Sequence, residues 1–225
     1  TIPMSKGCTL VQGAPQDFLS KPIRWMRWLS EFNGTASAGP NFSYALAARA
    51  LKRADDDLDL SKVRMFLNGA EPIDAPTFRR FFEAGERFGL DPGSAFPAFG
   101  MAEVCIAGTF PTPGKGLITD VVDRRALESE QRAVPVDADA ESAVELALLG
   151  RPVPGLEISI TDPATGEPCK DRQVGELRIA GNSLTVGYYN QPEATAELIT
   201  DGWLNTGDLA YTVGGELVVC GRIKD

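Results

Sequence analysis

Four short stretches place chemistry-bearing residues beside glycines. Asn68-Gly69-Ala70-Glu71-Pro72 follows the apolar run Val63–Leu67, which reads as a short buried strand. Small residues at a strand end let a flat ligand approach the backbone closely. Phe99-Gly100-Met101-Ala102-Glu103 follows the next strand-like run, Ala95–Phe99. An aromatic there can stack on a base, and a carboxylate such as Glu103 suits a hard cation such as Mg2+. Gly202 to Asp208 (GWLNTGD) ends on a carboxylate after a tight turn, a group that can take both hydroxyls of a ribose. Arg222, in Gly221–Asp225 (GRIKD), offers a planar fork for phosphate or ribose oxygens. Taken singly, each stretch reads as readily as a simple turn or a surface ion pair.

The elements that must position these groups fall into two halves. Before about residue 111, helical spacing alternates with short apolar runs. Trp25, Trp28, Leu29 and Phe32 share one helical face, and Asn41 is the expected N-cap of a helix through Arg53. Ala75 to Phe88 repeats the pattern with Phe78, Phe81, Phe82 and Phe88. Strand, helix and strand at this spacing predict a βαβ unit with a parallel sheet, and the aromatics read as its core. After about residue 142, strands are expected at 144–149, 156–160, 174–180 and 216–220, with one short helix at 192–198. Turn signals separate them, which predicts an antiparallel sheet or small barrel. The stretch from Pro111 to Ser142 is polar and reads as a linker or an inserted surface segment.

Composition narrows the functional classes. The 225 residues carry 22 Lys and Arg against 31 Asp and Glu, a net charge of −9. That acidity disfavours nucleic acid as a partner. There is no histidine, which removes Ser-His-Asp and Cys-His hydrolases and the usual zinc hydrolases. Cys8, Cys105, Cys169 and Cys220 form no CxxC pair, so a disulfide framework or zinc site is not expected and a reducing, cytoplasmic compartment is. No apolar run reaches the ~18 residues of a membrane span, and no signal peptide is visible. The acidic run Asp55-Asp56-Asp57 with Asp59 lacks the spacing of a calcium loop and reads as a solvated helix end. The chain begins on Thr1 and stops directly after a strand-like run, so it reads as a piece of a longer protein.

In order, the chain carries NGAEP, FGMAE, GYYNQPEAT (187–195), GWLNTGD and GRIKD. Together these resemble the ATP-dependent adenylate-forming superfamily of acyl-CoA synthetases, fatty acyl-AMP ligases, luciferases and peptide-synthetase adenylation domains. Within it the chain most resembles the fatty acyl-AMP ligases. Gly39-Pro40-Asn41-Phe42-Ser43-Tyr44-Ala45-Leu46 is similar to their segment after the acyl-pocket strand, and residues 216–225 to their approach to a hinge. The stretch 112–149 occupies the place of an extra segment in these ligases, which is thought to restrain a mobile C-terminal domain and disfavour CoA. The resemblance implies an α/β parallel-sheet subdomain over 1–111, that insertion over 112–149, and a β-barrel subdomain over 150–225 ending at the hinge.

The resemblance also implies roles. Asn68, Gly69, Ala70 and Glu71 would form an adenine wall, and Phe99 would pack on the base. Gly100, Met101 and Ala102 would border the acyl and α-phosphate region. Glu103 would hold Mg2+ on the phosphates of ATP, Asp208 would bind the ribose hydroxyls, and Arg222 would contact ribose or phosphate. Lys224 would be the hinge, and Ser37, Gly39 and Phe42 would line the acyl tunnel. Ala102 is a departure, because many members carry a Thr there whose hydroxyl contacts the α-phosphate; some fatty acyl-AMP ligases also carry Ala. The family's phosphate loop and catalytic lysine are expected outside residues 1–225, so this piece alone is expected to be inactive. The implied reaction is acyl-AMP formation from a fatty acid and ATP, with the acyl group passed to an acyl carrier protein or polyketide synthase. A fatty-acyl-CoA ligase, or a non-catalytic nucleotide-binding or scaffold module, are the alternatives.

Overall fold

The computed structural model describes residues 2–54 and 57–223. Asp55 and Asp56 of the acidic run and the expected hinge residue Lys224 therefore lie outside the described residues. In chain order the elements of the first half are α1 (Ile2–Lys6), α2 (Pro15–Ser20), α3 (Ile23–Glu31), β1 (Ala36–Ala38), α4 (Asn41–Lys52), β2 (Met65–Asn68), α5 (Ala75–Gly85) and β3 (Ala95–Pro97). The three strands form a parallel sheet in the order β1-β2-β3, with Ala38 opposite Leu67 and Asn68 opposite Pro97.

The helices over this sheet follow from their apolar spacing. Phe78, Phe81 and Phe82 lie on one face of α5 and are buried. Asp74 caps that helix, its Oδ1 accepting the Thr77 N–H at 3.0 Å. The α5 face meets Tyr44 of α4, Phe66 of β2 and Trp25 of α3; Tyr44 and Phe78 have ring centroids 4.6 Å apart. Tyr44 is fully buried and donates its hydroxyl to the Leu67 carbonyl at 2.6 Å, so its polar end is satisfied. Asn41 does not cap α4, contrary to expectation. Pro40 holds the cap position, and Asn41 opens the helix with its side chain turned to the neighbouring loop.

The second half adds β4 (Thr109–Phe110), β5 (Thr119–Asp123), α6 (Arg124–Ser129), β6 (Ala143–Ala147), β7 (Arg151–Pro152), β8 (Leu156–Thr161), β9 (Gly175–Gly181), α7 (Pro192–Leu198), β10 (Ile199–Thr200), β11 (Trp203–Val213) and β12 (Glu216–Arg222). Strands β10, β11, β9 and β8 are neighbours in that order in an antiparallel sheet, and β12 also pairs β11. The eleven-residue β11 was not foreseen. Its sequence is punctuated by Asn205 and Gly207, which read as a turn; in the fold the strand continues through a bulge, its register shifting between Asn205 and Leu209 against β9 and between Leu209 and Ala210 against β12.

The polar stretch that read as a linker or an inserted surface segment is folded. β5 and β6 pair antiparallel from Thr119 opposite Ala147 to Asp123 opposite Ala143, with α6 packed between them in sequence. Val122 and Ala133 are buried against Tyr211 and Val218. Charges hold the segment on two sides. Arg79 of α5 forms a two-pronged ion pair with Glu145 of β6. Asp120 of β5 accepts both guanidinium nitrogens of Arg172 at 3.0 Å and the hydroxyl of the fully buried Tyr211 at 2.9 Å. No helix among the described residues is long and apolar enough to cross a membrane.

Asp120 thus satisfies a cation and a buried phenol together. Asp120→Ala should cost about 1–3 kcal/mol, because the buried Tyr211 hydroxyl loses its acceptor and the half-buried Arg172 keeps only the Ala133 carbonyl. Denaturant unfolding measures the loss, and hydrogen exchange should speed up in β5 and β11 together. A change at the exposed Val186, such as Val186→Ser, should stay within about 0.5 kcal/mol.

Candidate functional site

The first two motifs meet because they end adjacent parallel strands. The Ala98 N–H donates to the Asn68 carbonyl at 2.9 Å. A Cβ on Gly69 would lie 2.8 Å from the Ala98 carbonyl oxygen, so a side chain there would push the two strand ends apart. Gly100 is more constrained still, since a Cβ would fall 1.5 Å from the Ile106 carbonyl oxygen. Phe99 bridges back to Thr109, with Thr109 N donating to the Phe99 carbonyl at 3.0 Å. The chain therefore doubles back tightly around Gly100, and Met101 and Phe99 pack half-buried onto the core of the second sheet.

Within NGAEP the side chains differ in what they can touch. Asn68 is fully buried, its Nδ2 donating to Asn41 Oδ1 at 3.0 Å, while its own Oδ1 is a buried acceptor with no partner. Asn41 Oδ1 also takes the Asp74 N–H at 3.0 Å, and Asn41 Nδ2 donates to the Pro72 carbonyl at 2.7 Å. Glu71 Oε1 accepts the Asn41 backbone N–H at 2.7 Å. The Asn68 side chain is thus a strut between the end of β2 and Asn41, and only its backbone faces the loop. Ala70 is exposed with φ of 67°, so the loop presents backbone there.

Glu103 lies on a single 3-10 turn, residues 102–104, anchored by the buried Val104. Its Oε1 accepts the Tyr188 hydroxyl at 2.7 Å, and its backbone carbonyl accepts the Thr185 N–H at 2.7 Å. Its Oε2 has no protein partner among the described residues. Those residues contain no group of three or more metal-ligating side chains. A lone open carboxylate fits Mg2+ in the form in which that ion rides on substrate phosphates and waters, with one protein ligand.

Asp208 and Arg222 face each other across the β11–β12 ladder, Arg222 Nε lying 3.3 Å from Asp208 Oδ1. Asp208 sits inside a strand, beside the bulge at Gly207 (φ 71°), which corrects its expected place after a tight turn. Glu176 Oε1 accepts the Gly207 N–H at 3.2 Å, and Thr206 Oγ1 ties the bulge to the Leu177 carbonyl at 2.7 Å. Beside them opens a cavity of about 690 Å³ lined by Glu176, Tyr188, Asn205, Thr206, Gly207 and Arg222, among others. Tyr188 therefore touches both the Glu103 carboxylate and the space in front of Arg222. Burial pushes the Asp208 carboxyl above the usual carboxylate range, and the Arg222 charge only partly relieves it.

Ser37 and Gly39 gather at the carboxyl end of β1. The Ser37 hydroxyl accepts the Trp25 indole N–H at 2.8 Å, and a Cβ on Gly39 would lie 3.1 Å from the Trp25 ring. Phe42 is exposed, its ring 6.5 Å from that of Phe18. Ser37 and Gly39 thus border Trp25, and Phe42 is exposed beside Phe18. Tyr188 and Glu176 were missed by sequence reasoning. Tyr188 lay inside GYYNQPEAT, so the motif was visible but not the atom it uses. Nothing in the sequence distinguishes Glu176 from other strand glutamates.

Comparison with known proteins adds independent findings. Residues 1–189 match the family described as AMP-binding enzyme. The chain is 41% identical over 228 residues to the protein Rv1013 of Mycobacterium tuberculosis, covering 100% of this chain and 41% of that one. It is 34% identical over 235 residues to JamA of Moorena producens, named a medium-chain-fatty-acid–[acyl-carrier-protein] ligase, covering 99% and 39%. Among solved structures, the fatty acyl-adenylate ligase of L. pneumophila in complex with acyl adenylate and pyrophosphate superimposes with a TM-score of 0.89 at 32% identity, covering 99% of this chain and 40% of that one. The chain spans about two fifths of the length of these relatives.

The raised Asp208 carboxyl has a measurable consequence. The folded state holds this proton more tightly than the unfolded chain, whose value is about 3.9. The burial penalty is absent below that value, grows as pH rises toward the raised folded value, and is complete above it. Asp208→Asn should therefore melt no lower than wild type at pH 7. Its advantage should shrink to nothing as pH falls below about 4. Thermal melts of both proteins across that range test this, and a variant less stable at pH 7 would sink the reading.

Proposed function

Since the chain belongs to the AMP-binding enzyme family, we propose that the protein carrying it is a fatty acyl-AMP ligase. It would join a fatty acid to the α-phosphate of ATP, release pyrophosphate, and pass the acyl group to an acyl carrier protein or the carrier domain of a polyketide synthase. The observation that carries this reading is the placing of three charged groups, two carboxylates and a guanidinium, at or beside one cavity. Tyr188 brings the Glu103 carboxylate to its edge, Arg222 lines it, and Asp208 stands beside Arg222. A carboxylate with one free oxygen, a guanidinium and a second carboxylate match the metal-bridged phosphates and the ribose of a nucleotide.

In this reading the backbone at Gly69 and Ala70 gives adenine a flat edge, Phe99 packs on the base, and Gly100 and Met101 border the acyl and α-phosphate region. The ribose hydroxyls replace Arg222 as partners of Asp208, which frees the guanidinium for ribose or phosphate oxygens. Glu103 would hold Mg2+, which supplies charge neutralisation on the phosphates when bound. Ala102 has no hydroxyl to offer, so the α-phosphate is left to backbone N–H groups or to residues outside this chain. Ser37, Gly39 and Phe42, gathered around Trp25, border the acyl chain. A reducing, cytoplasmic setting belongs to the same reading, on the spacing of the four cysteines. The three subdomains proposed are 1–111, 112–149 and 150–225, with 112–149 as the segment that disfavours CoA and Lys224 as the hinge.

ATP–pyrophosphate exchange by the full protein with dodecanoate is the deciding measurement. Exchange without acyl-CoA on addition of CoA is expected. Rapid acyl-CoA would make the protein a CoA ligase, and no exchange with any fatty acid would favour a non-catalytic nucleotide-binding module.

The segment 112–149 cannot simply be deleted, because Val122, Ala133 and Val144 cover Tyr211 and Val218. Releasing its clamp on α5 is the finer test. Glu145→Ala should raise acyl-CoA formation by about two- to fivefold. That matches the ~0.5–1 kcal/mol expected of a partly exposed ion pair. Chromatographic measurement of acyl-CoA, with acyl-AMP formation as the control, reads the result; unchanged CoA use would remove this role from the segment.

A further inference from the structure

The reading above uses only the Tyr188 hydroxyl of the motif Gly187–Thr195, yet the motif's neighbourhood touches Glu103 at both backbone and side chain. Residues 184–198 cross over the 3-10 turn as a strap. Leu184 packs into the core of the second sheet, and Pro192 opens α7 at the far end. Between these anchors the strap touches Glu103 twice: Thr185 N donates to its backbone carbonyl at 2.7 Å, and the Tyr188 hydroxyl donates to its Oε1 at 2.7 Å. The position of Tyr188 is itself fixed. Its N–H donates to Thr195 Oγ1 at 2.9 Å, and that hydroxyl donates in turn to the Gln191 carbonyl at 2.8 Å. Gly187 has φ of 139°, and a Cβ there would lie 2.4 Å from the Thr195 methyl, so strap and helix are in close contact.

We propose that Tyr188 is the positioning residue of Glu103, holding Oε1 so that Oε2 is presented to a divalent cation carried on the phosphates of ATP. This rests on the adenylation reading and adds to it the residue that aims the metal carboxylate. Glu103 stands on one short turn and has no other side-chain partner among the described residues, so without the phenol its carboxylate samples several rotamers. A partner that orients a metal ligand affects metal affinity, and its removal typically costs 10–100-fold. The hydroxyl contributes nothing to packing, so Phe at this position keeps the ring in place while releasing the carboxylate.

Tyr188→Phe in the full protein tests this, with Mn2+ as the probe. In the presence of ATP, Mn2+ binding followed by electron paramagnetic resonance should weaken about tenfold. The Mg2+ concentration giving half-maximal pyrophosphate exchange should rise in parallel. The melting temperature and the affinity for ATP in chelator should match wild type. Tyr189→Phe, at a side chain that is 98% exposed, should leave all four readouts unchanged. Wild-type Mn2+ affinity in Tyr188→Phe would overturn the role. So would a lowered melting temperature with an equal loss of metal-free ATP binding, which would make the strap a structural element only. Absence of Mn2+-dependent ATP binding in the wild type would overturn the adenylation reading itself, and this role with it.

Discussion

Strand β11 has to satisfy both of its edges at once, and most of the second half is arranged around that demand. Along one edge it pairs with β9; along the other it pairs first with β10 and then with β12. A regular strand would place its side chains in strict alternation over all eleven residues. The bulge at Gly207 breaks the alternation, and the break is where Asp208 comes to face Arg222. Thr206 and Glu176 take up hydrogen-bonding groups freed by the bulge, so the irregularity is supported rather than frayed. Three residues further along, Tyr211 is fully buried and reaches Asp120, which attaches the 119–147 ladder to the same strand.

The site is held in an unfavourable electrostatic state by this arrangement. Asp208 is largely enclosed, and its partner Arg222 is mostly exposed, so the pair is too screened to repay the cost of burying the carboxylate. A polar ligand that offers two hydroxyls would relieve that cost, whereas the free protein carries it.

The two halves of the molecule touch through a few directed polar contacts as well as apolar packing. Arg79 with Glu145 joins α5 to β6, and Tyr188 with Glu103 joins the strap before α7 to the turn after β3. The tight turn at Gly100 makes the second contact possible. It folds residues 101–104 back so that Val104 enters the core of the second sheet while Glu103 stays at the surface beside the strap. A metal-binding carboxylate on one half would thus be aimed by a phenol from the other.

Much of this was legible in the amino-acid order. Phe78, Phe81 and Phe82 recur at helical spacing, and helical spacing is a local property that burial then follows. Val63 to Leu67 and Ala95 to Phe99 announced two strands, and the glycines after them, Gly69 and Gly100, lie hard against neighbouring backbone in the fold. Other features were not legible, because they depend on which strand lies beside which. Asn205 and Gly207 carry turn chemistry, yet pairing with β9 and β12 holds them in a strand as a bulge. Asn41 has the composition of a cap, yet Asn68, Pro72 and Asp74 compete for its carboxamide and win it. The polar stretch 111–142 read as a linker or an inserted surface segment because its few apolar residues, Val122 and Ala133 among them, are spaced for a partner surface far along the chain, at Tyr211 and Val218. Local sequence determined the elements and the chemical groups they carry. Only the tertiary structure decided which groups meet, because contact between Glu103 and Tyr188, or Asp120 and Tyr211, is set by packing across sheets and not by spacing along the chain.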